Sequence, residues 1–206
     1  MNNPVKNEPP LSERKIAILT AAANLFAEHG YAAVSLRDLA REVHTTPAAL
    51  YHHFADKDAI YVATLNYVFS NTAAAMTDLV KGSDAPDVAL ERLIVWLTRM
   101  FSENRTMTRL LQLELLADND ARMRTLTEDV IAAPFREIEG LIKRLAPDQD
   151  ANLSAVSIFS LVLGFAELSP IIEGLTGQRT NNERILAFAE HAKQLVLYGL
   201  PLQPRP

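Results

Sequence analysis

Ser35 and Thr46 each stand where a helix should begin, and a hydroxyl at a helix N-terminus suits a phosphate oxygen as well as a backbone N–H. Ser35 followed by Asp38 has the form of a capping box, in which the hydroxyl accepts from the third backbone N–H and the carboxylate reaches back to the cap. The helix it opens starts at about Leu36. Leu36, Leu39, Ala40 and Val43 share one apolar face, and Arg37, Asp38, Arg41 and Glu42 turn outward. That pattern stops at His44-Thr45-Thr46. Thr46 then serves as an N-cap and Pro47 as the first helical residue, where its missing N–H costs nothing. A second helix follows from Pro47 to about Phe54, anchored inward by Leu50 and Phe54. Two short helices around a turn of roughly three or four residues make a helix-turn-helix, the arrangement that lays its second helix in a DNA major groove. Catalytic chemistry finds no comparable footing. The chain has no cysteine, no Glu-x-x-His, no His-x-x-x-His and no glycine-rich phosphate loop, so neither an enzyme nor a cofactor nor a metal is expected.

The stretch LAREVHTTPAALYHHF, Leu39 to Phe54, followed by Lys57, resembles the DNA-binding signature of the tetracycline-repressor (TetR) family of transcriptional regulators. The resemblance implies that Tyr51, His53 and Lys57 hold the DNA backbone, with Ser35, Thr45 and Thr46 near the helix starts adding donors. It also implies that Pro47, Ala48, Ala49 and His52 face the bases and that Arg37 reaches a base edge, where arginine prefers O6 and N7 of guanine. Direct reading by the recognition helix would then rest on apolar contacts with thymine methyls and on His52. Two positions depart from the family pattern: His44 stands where glycine is usual at the turn, and Ala48 where glycine is common at the start of the recognition helix. Histidine tolerates a positive φ better than most residues, so the turn is expected to survive.

The 206 residues, 49% hydrophobic and 22% charged, suit one globular protein of one or two domains with a sizeable core. A net charge of −5 argues at first sight against a nucleic-acid partner, but its distribution matters more. Up to Lys57, six basic residues offset six acidic ones, so the whole excess of negative charge lies beyond the motif. Four of the five histidines, His29, His44, His52 and His53, fall in this first part. Residues 1–11, rich in proline, read as a disordered tail and not a signal peptide, which leads to the expectation of a cytoplasmic protein.

Ser12 to His29 reads as the first helix, stopped by Gly30, with Ile16, Leu19, Ala23 and Phe26 as its core stripe. A long fourth helix runs from Asp56-Lys57 towards Val80, able to belong to two domains at once, and a fifth follows Pro86. The sixth spans Thr108 to Leu116, and the seventh Ala121 to Leu145 with a kink at Pro134. The eighth spans Ala151 to about Leu175 and the ninth Asn182 to Tyr198. The expected fold is all-α with about nine helices: a helix-turn-helix DNA-binding domain over 12–56 and a ligand-binding and dimerisation domain over 57–206.

Ala151 to Ala166 carries no charge, yet this run is shorter than the roughly 20 residues a membrane span needs. Ser154, Ser157 or Leu161, and Gly164 instead place a strip of small residues along one side. In the resembling family the last two helices of each subunit pair into a four-helix dimer interface, which implies Ser157, Leu161, Gly164, Leu186, Ala189, Lys193 and Val196 as interface residues. Family effector sites lie between central helices. Trp96, Met100, Met107, Leu110, Phe135, Phe159 and Leu163 could line such a pocket, or could be ordinary core. Glu114 and Glu167 are each either a misphased surface residue or a polar contact for a ligand, since a carboxylate among apolar residues must find a partner or be neutralised. The resemblance implies a homodimeric repressor of double-stranded DNA, bound to a palindromic operator and released by a small effector. Because the pocket candidates are mainly apolar and aromatic with no basic cluster among them, that effector is expected to be mainly apolar, neutral or cationic and not phosphorylated. The rival reading is a helical adaptor that keeps the helix-turn-helix for partner contacts.

Overall fold

The computed structural model describes residues 12–81, 85–117 and 119–199, so the proline-rich start of the chain lies outside the described residues. Among the described residues every regular element is helical. The chain forms two compact units, one ending at Val68 and the other beginning at Phe69, so the boundary falls inside the fourth helix and not in the loop before it at 56/57.

In the first unit, α1 spans Glu13–Ala33, and the hydroxyl of its N-cap Ser12 accepts from the backbone N–H of Lys15. Ile18, Leu19, Ala22, Ala23, Phe26 and Ala27 are buried at three- and four-residue spacing. Ile16 is 37% exposed, contrary to the stripe expected for it. Ile18 takes the core position instead, and two residues along a 3.6-residue turn are about 200° apart. Gly30 breaks α1 at φ 79°, a conformation that glycine adopts without a Cβ clash. Beyond the break Tyr31 stacks on Phe26 at 6.1 Å. The α2 helix, Leu36–Glu42, and α3, Pro47–Tyr51, form next. The latter is shorter than the expected run to Phe54, although Phe54 remains a buried anchor because its N–H still bonds to the carbonyl of Leu50 at 3.0 Å. α4, Lys57–Lys81, opens with the Asp56 carboxylate accepting from the Ala59 N–H at 2.7 Å. Its first turns bury Ile60, Tyr61, Thr64 and Leu65. Tyr61 meets both Phe26 and Tyr31 edge-on at 4.9 Å, so the start of α4 is one wall of this unit's core.

The second unit is built on α5, Pro86–Glu103, which packs against α8, Ala132–Leu145, α9, Ala151–Thr176, and α10, Asn182–Tyr198. Leu90, Leu93, Ile94 and Leu97 of α5 meet the core beside Ile138, Leu141, Ile158, Val162 and Ile185. Between them lie α6, Arg105–Leu116, α7, Asp120–Thr125, and a π-helical segment, Leu126–Ile131. Counted as one interrupted helix, 120–145 brings the total among the described residues to nine. The irregularity is the π-helical segment Leu126–Ile131, upstream of Pro134 and not at it. Proline lacks an N–H for the carbonyl four residues back and its ring crowds that carbonyl, and the chain answers by widening the preceding turn. Pro170 lies inside α9, which nevertheless continues to Thr176 and ends on Gly177 in the left-handed conformation, φ 68°.

Candidate nucleic-acid interface and effector cavity

The helix-turn-helix is held by local hydrogen bonds that its sequence dictates. Ser35 and Asp38 close the capping box: the Asp38 N–H donates to the Ser35 hydroxyl at 3.2 Å, and the Ser35 N–H donates to the Asp38 carboxylate at 3.0 Å. The Ser35 hydroxyl also donates to that carboxylate, so its hydrogen is engaged within the protein. Arg41 joins the same carboxylate at 2.7 Å. The Ser35 bonds, and secondarily the Arg41 charge, hold Asp38 below the ordinary carboxylate value. At the turn His44 takes φ 51°, the left-handed conformation that a glycine would otherwise supply. The Thr45 N–H returns to the Ala40 carbonyl at 2.8 Å, and Arg14 of α1 clamps the Val43 carbonyl at 3.1 Å. Thr46 caps α3 by accepting from the Ala49 N–H at 3.2 Å, with Pro47 in the first turn.

These bonds leave a continuous outward surface. Arg37, Thr46, Ala48, Tyr51, His52 and His53 are exposed, while Thr45, Pro47 and Ala49 are half-buried beside the inward Leu50. Tyr51, 56% exposed, is a surface residue and not part of the core. Lys57 is placed differently: its ammonium lies 4.2 Å from the Tyr31 ring centroid and 3.5 Å from the Ala32 carbonyl. Burial there lowers its pKa from the ordinary lysine value.

The effector candidates separate into groups. Trp96 and Met100 lie on one face of α5 and line a cavity of about 810 Å³ that is open to solvent and shared with Asn71, Thr72 and Ala75 of α4 and the start of α6. Arg99, Glu103 and Arg105 line it too, and none of the three was among the residues expected there. Arg99 and Glu103 are three and seven residues from Trp96, a spacing that marks the same helical face. Two guanidinium groups and one carboxylate thus join the apolar candidates in the lining. Met107 and Leu110, read as lining, are buried in the core, Leu110 with no exposed surface. Glu114 is buried in an ion pair with Arg122, at 3.2 Å, which answers the question of its partner. Phe135 and Phe159 stack at 6.0 Å across α8 and α9. Leu163 is half-buried, and Glu167 receives a hydrogen bond from Gln112.

The interface candidates on α9 and α10 also divide. Ser157 and Leu186 are exposed, and Leu161, Gly164 and Val196 are half-buried. Ala189 faces its own core at 1% exposure, and Lys193 is bonded to Glu91 of α5 at 2.8 Å and to Glu190 at 2.6 Å. The open surface is instead apolar and carried by Leu153, Val156, Leu168, Ile171 and Leu175 of α9, with Tyr198 of α10. By length and composition α9 could cross a membrane, with a mean hydropathy of 1.9 over its most apolar window, only 17% of which is buried within this chain. The buried face repeats at Ala151, Ala155, Ile158 and Val162, so the exposed apolar residues are legible once that face is phased.

The family model described as "Bacterial regulatory proteins, tetR family" matches residues 18–64, the stretch containing α2, α3 and the core that carries them. Over 201 residues the chain is 25% identical to the HTH-type transcriptional regulator RutR of Escherichia coli K12, covering 95% of this chain and 94% of RutR. It is 33% identical over 90 residues to the HTH-type transcriptional repressor AcnR of Corynebacterium diphtheriae, covering 44% and 45% of the two chains. Among solved structures it is similar in fold to the transcriptional regulator FadR of Bacillus subtilis in complex with stearoyl-CoA, with a TM-score of 0.71 and 15% identity over 90% of this chain and 98% of FadR. The turn geometry, the exposed α3 surface and these likenesses converge: residues 18–64 are a tetR-family helix-turn-helix DNA-binding domain, and the chain that carries it is a transcriptional regulator.

Proposed function

We propose that the chain acts as a homodimeric repressor, binding a palindromic operator through paired α3 helices and leaving it when a small, mainly apolar molecule binds the second unit. The observation that carries the DNA side is the capped α2–α3 pair, with His44 at φ 51° making a tight turn and Tyr51, His52 and His53 left exposed. A palindrome requires two recognition helices about 34–36 Å apart, one turn of DNA, and hence a second copy. The exposed apolar strip of α9 supports that pairing over insertion in lipid, because Glu167, Pro170 and Glu173 interrupt the same helix. The chain thus works by binding and not by catalysis, in the cytoplasm where its DNA lies. Repression is supported by the likeness to AcnR, and a small effector with an apolar body by the fold shared with the stearoyl-CoA complex of FadR. α4 is one helix from Lys57 to Lys81, and a ligand favouring one setting of it shifts the population only by its differential affinity for the two forms.

Gel shift on the promoter of its own operon tests this reading. A specific, salt-sensitive complex is expected, and its absence at micromolar protein rejects the proposal. Tyr51→Phe and His53→Ala should weaken operator and unrelated DNA by similar factors, because phosphate contacts carry no sequence information. Arg37→Ala should cost about 1–3 kcal/mol at one base pair of each half-site. Equal losses on all sequences would make Arg37 a backbone contact.

A further inference from the structure

We propose that the cavity bounded by α4, α5 and α6 takes an organic monoanion, a single carboxylate on an apolar body; this deepens the effector reading above and rests on it. Trp96, Arg99, Met100 and Glu103 recur along α5 at the spacing of one helical face, so the residues that would hold the body and the head of such a molecule share one wall. Arg105, the first residue of α6, brings a second guanidinium to the same cavity. Arg99 uses one N–H on the Asn182 side chain at 2.7 Å, and guanidinium presents five donors in a fork that matches a carboxylate. The N-terminal end of α6 adds positive potential at the same place.

The charge count limits the ligand. Two arginines and Glu103 leave one positive charge in excess, so a single carboxylate is matched, while a polyphosphate would bring further negative charge against Glu103. Arg99 and Arg105 are exposed and stay hydrated at the mouth of the cavity, where a carboxylate accepts charge-assisted hydrogen bonds about twice as strong as those of a neutral head group. Trp96 and Met100 give the body a polarisable apolar wall, and a volume of about 810 Å³ accommodates a molecule of metabolite or drug size.

Trp96 is the only tryptophan of the chain, so its fluorescence reports on this cavity alone. The probes are 10-bromodecanoate, 10-bromodecanol and 10-bromodecyltrimethylammonium, whose bromine quenches indole emission on contact. The carboxylate should quench at a concentration about tenfold or more below the other two, and Arg99→Gln with Arg105→Gln should raise its half-quenching concentration by about tenfold or more. Arg105→Gln alone, which leaves the Arg99–Asn182 bond in place, guards against a folding defect and should show part of the same shift. Quenching by the alcohol or the cation at the same concentration as the acid, or by none of the three, overturns the assignment. Operator release by the bromodecanoate is measured separately by gel shift: quenching without release upholds the site and rejects its role as the effector site.

Discussion

Replacing Gly164 by alanine should move two observables in opposite directions. Within the chain a Cβ built on Gly164 meets no atom within 4 Å, so the subunit itself places no steric demand for glycine there. Gly164 lies in the interior of α9, where alanine is favoured over glycine by about 1 kcal/mol. The isolated subunit should therefore gain about that much stability. If the apolar face of α9 is the seat of a second copy, the added methyl enters a packed surface, where overpacking costs about 1–3 kcal/mol at each site. A two-fold interface contains the site twice. The dimer should then weaken by about 2–6 kcal/mol, more than tenfold in dissociation constant. Sedimentation equilibrium at several concentrations measures the second quantity, and denaturant unfolding at a concentration where the variant is monomeric measures the first. Sedimentation of the unaltered protein as monomer alone at micromolar concentration would refute the pairing. A variant that is more stable and equally dimeric would place Gly164 outside the interface.

Arg122→Met should lower unfolding free energy by about 3–5 kcal/mol by removing a cation paired with the buried Glu114 carboxylate, whereas Glu114→Leu with Arg122→Met should recover most of it; equal losses in urea melts would contradict this. Asp38 is held below its ordinary value of 3.8, so its cap stabilises α2 above that pH and the benefit fades as pH falls through the lowered value. The stability difference between the protein and Asp38→Asn should shrink in that acidic window, and a difference constant down to full protonation would exclude the mechanism. His44→Gly should leave stability nearly unchanged, since relief of about 1 kcal/mol of left-handed strain is offset by the freedom glycine adds to the unfolded chain. His44→Val should cost about 1–2 kcal/mol in the same melt.

The DNA-binding half was legible because its signals are local. Ser35, Asp38, Thr46 and Pro47 act on the backbone within three residues, and the resulting caps form as their spacing predicts. What failed depended on phase and on distant partners. Ile16 and Ile18 are equally apolar, and only the phase of the buried face, which takes Ile18 and leaves Ile16 37% exposed, tells them apart. Glu114 looked stranded because its partner Arg122 belongs to a different helix. Trp96 and Met100 point to the cavity by their apolar character, whereas Arg99 on the same face carries no signal in hydrophobic spacing. On α10 the sequence offered Ala189 and Lys193 as interface residues, yet α5 already occupies the space beside them.

The place of Tyr61 governs how such regulators can be recombined. Because Phe26 and Tyr31 lean on a ring supplied by α4, the natural seam for grafting a different DNA-reading head lies within that helix, after Val68. A graft joined in the loop at 55–56 would keep the head's own α1 and recognition helix but give its aromatic cluster a foreign wall. Such hybrids should inherit the specificity of the donor only when Ile60, Tyr61, Thr64 and Leu65 travel with it.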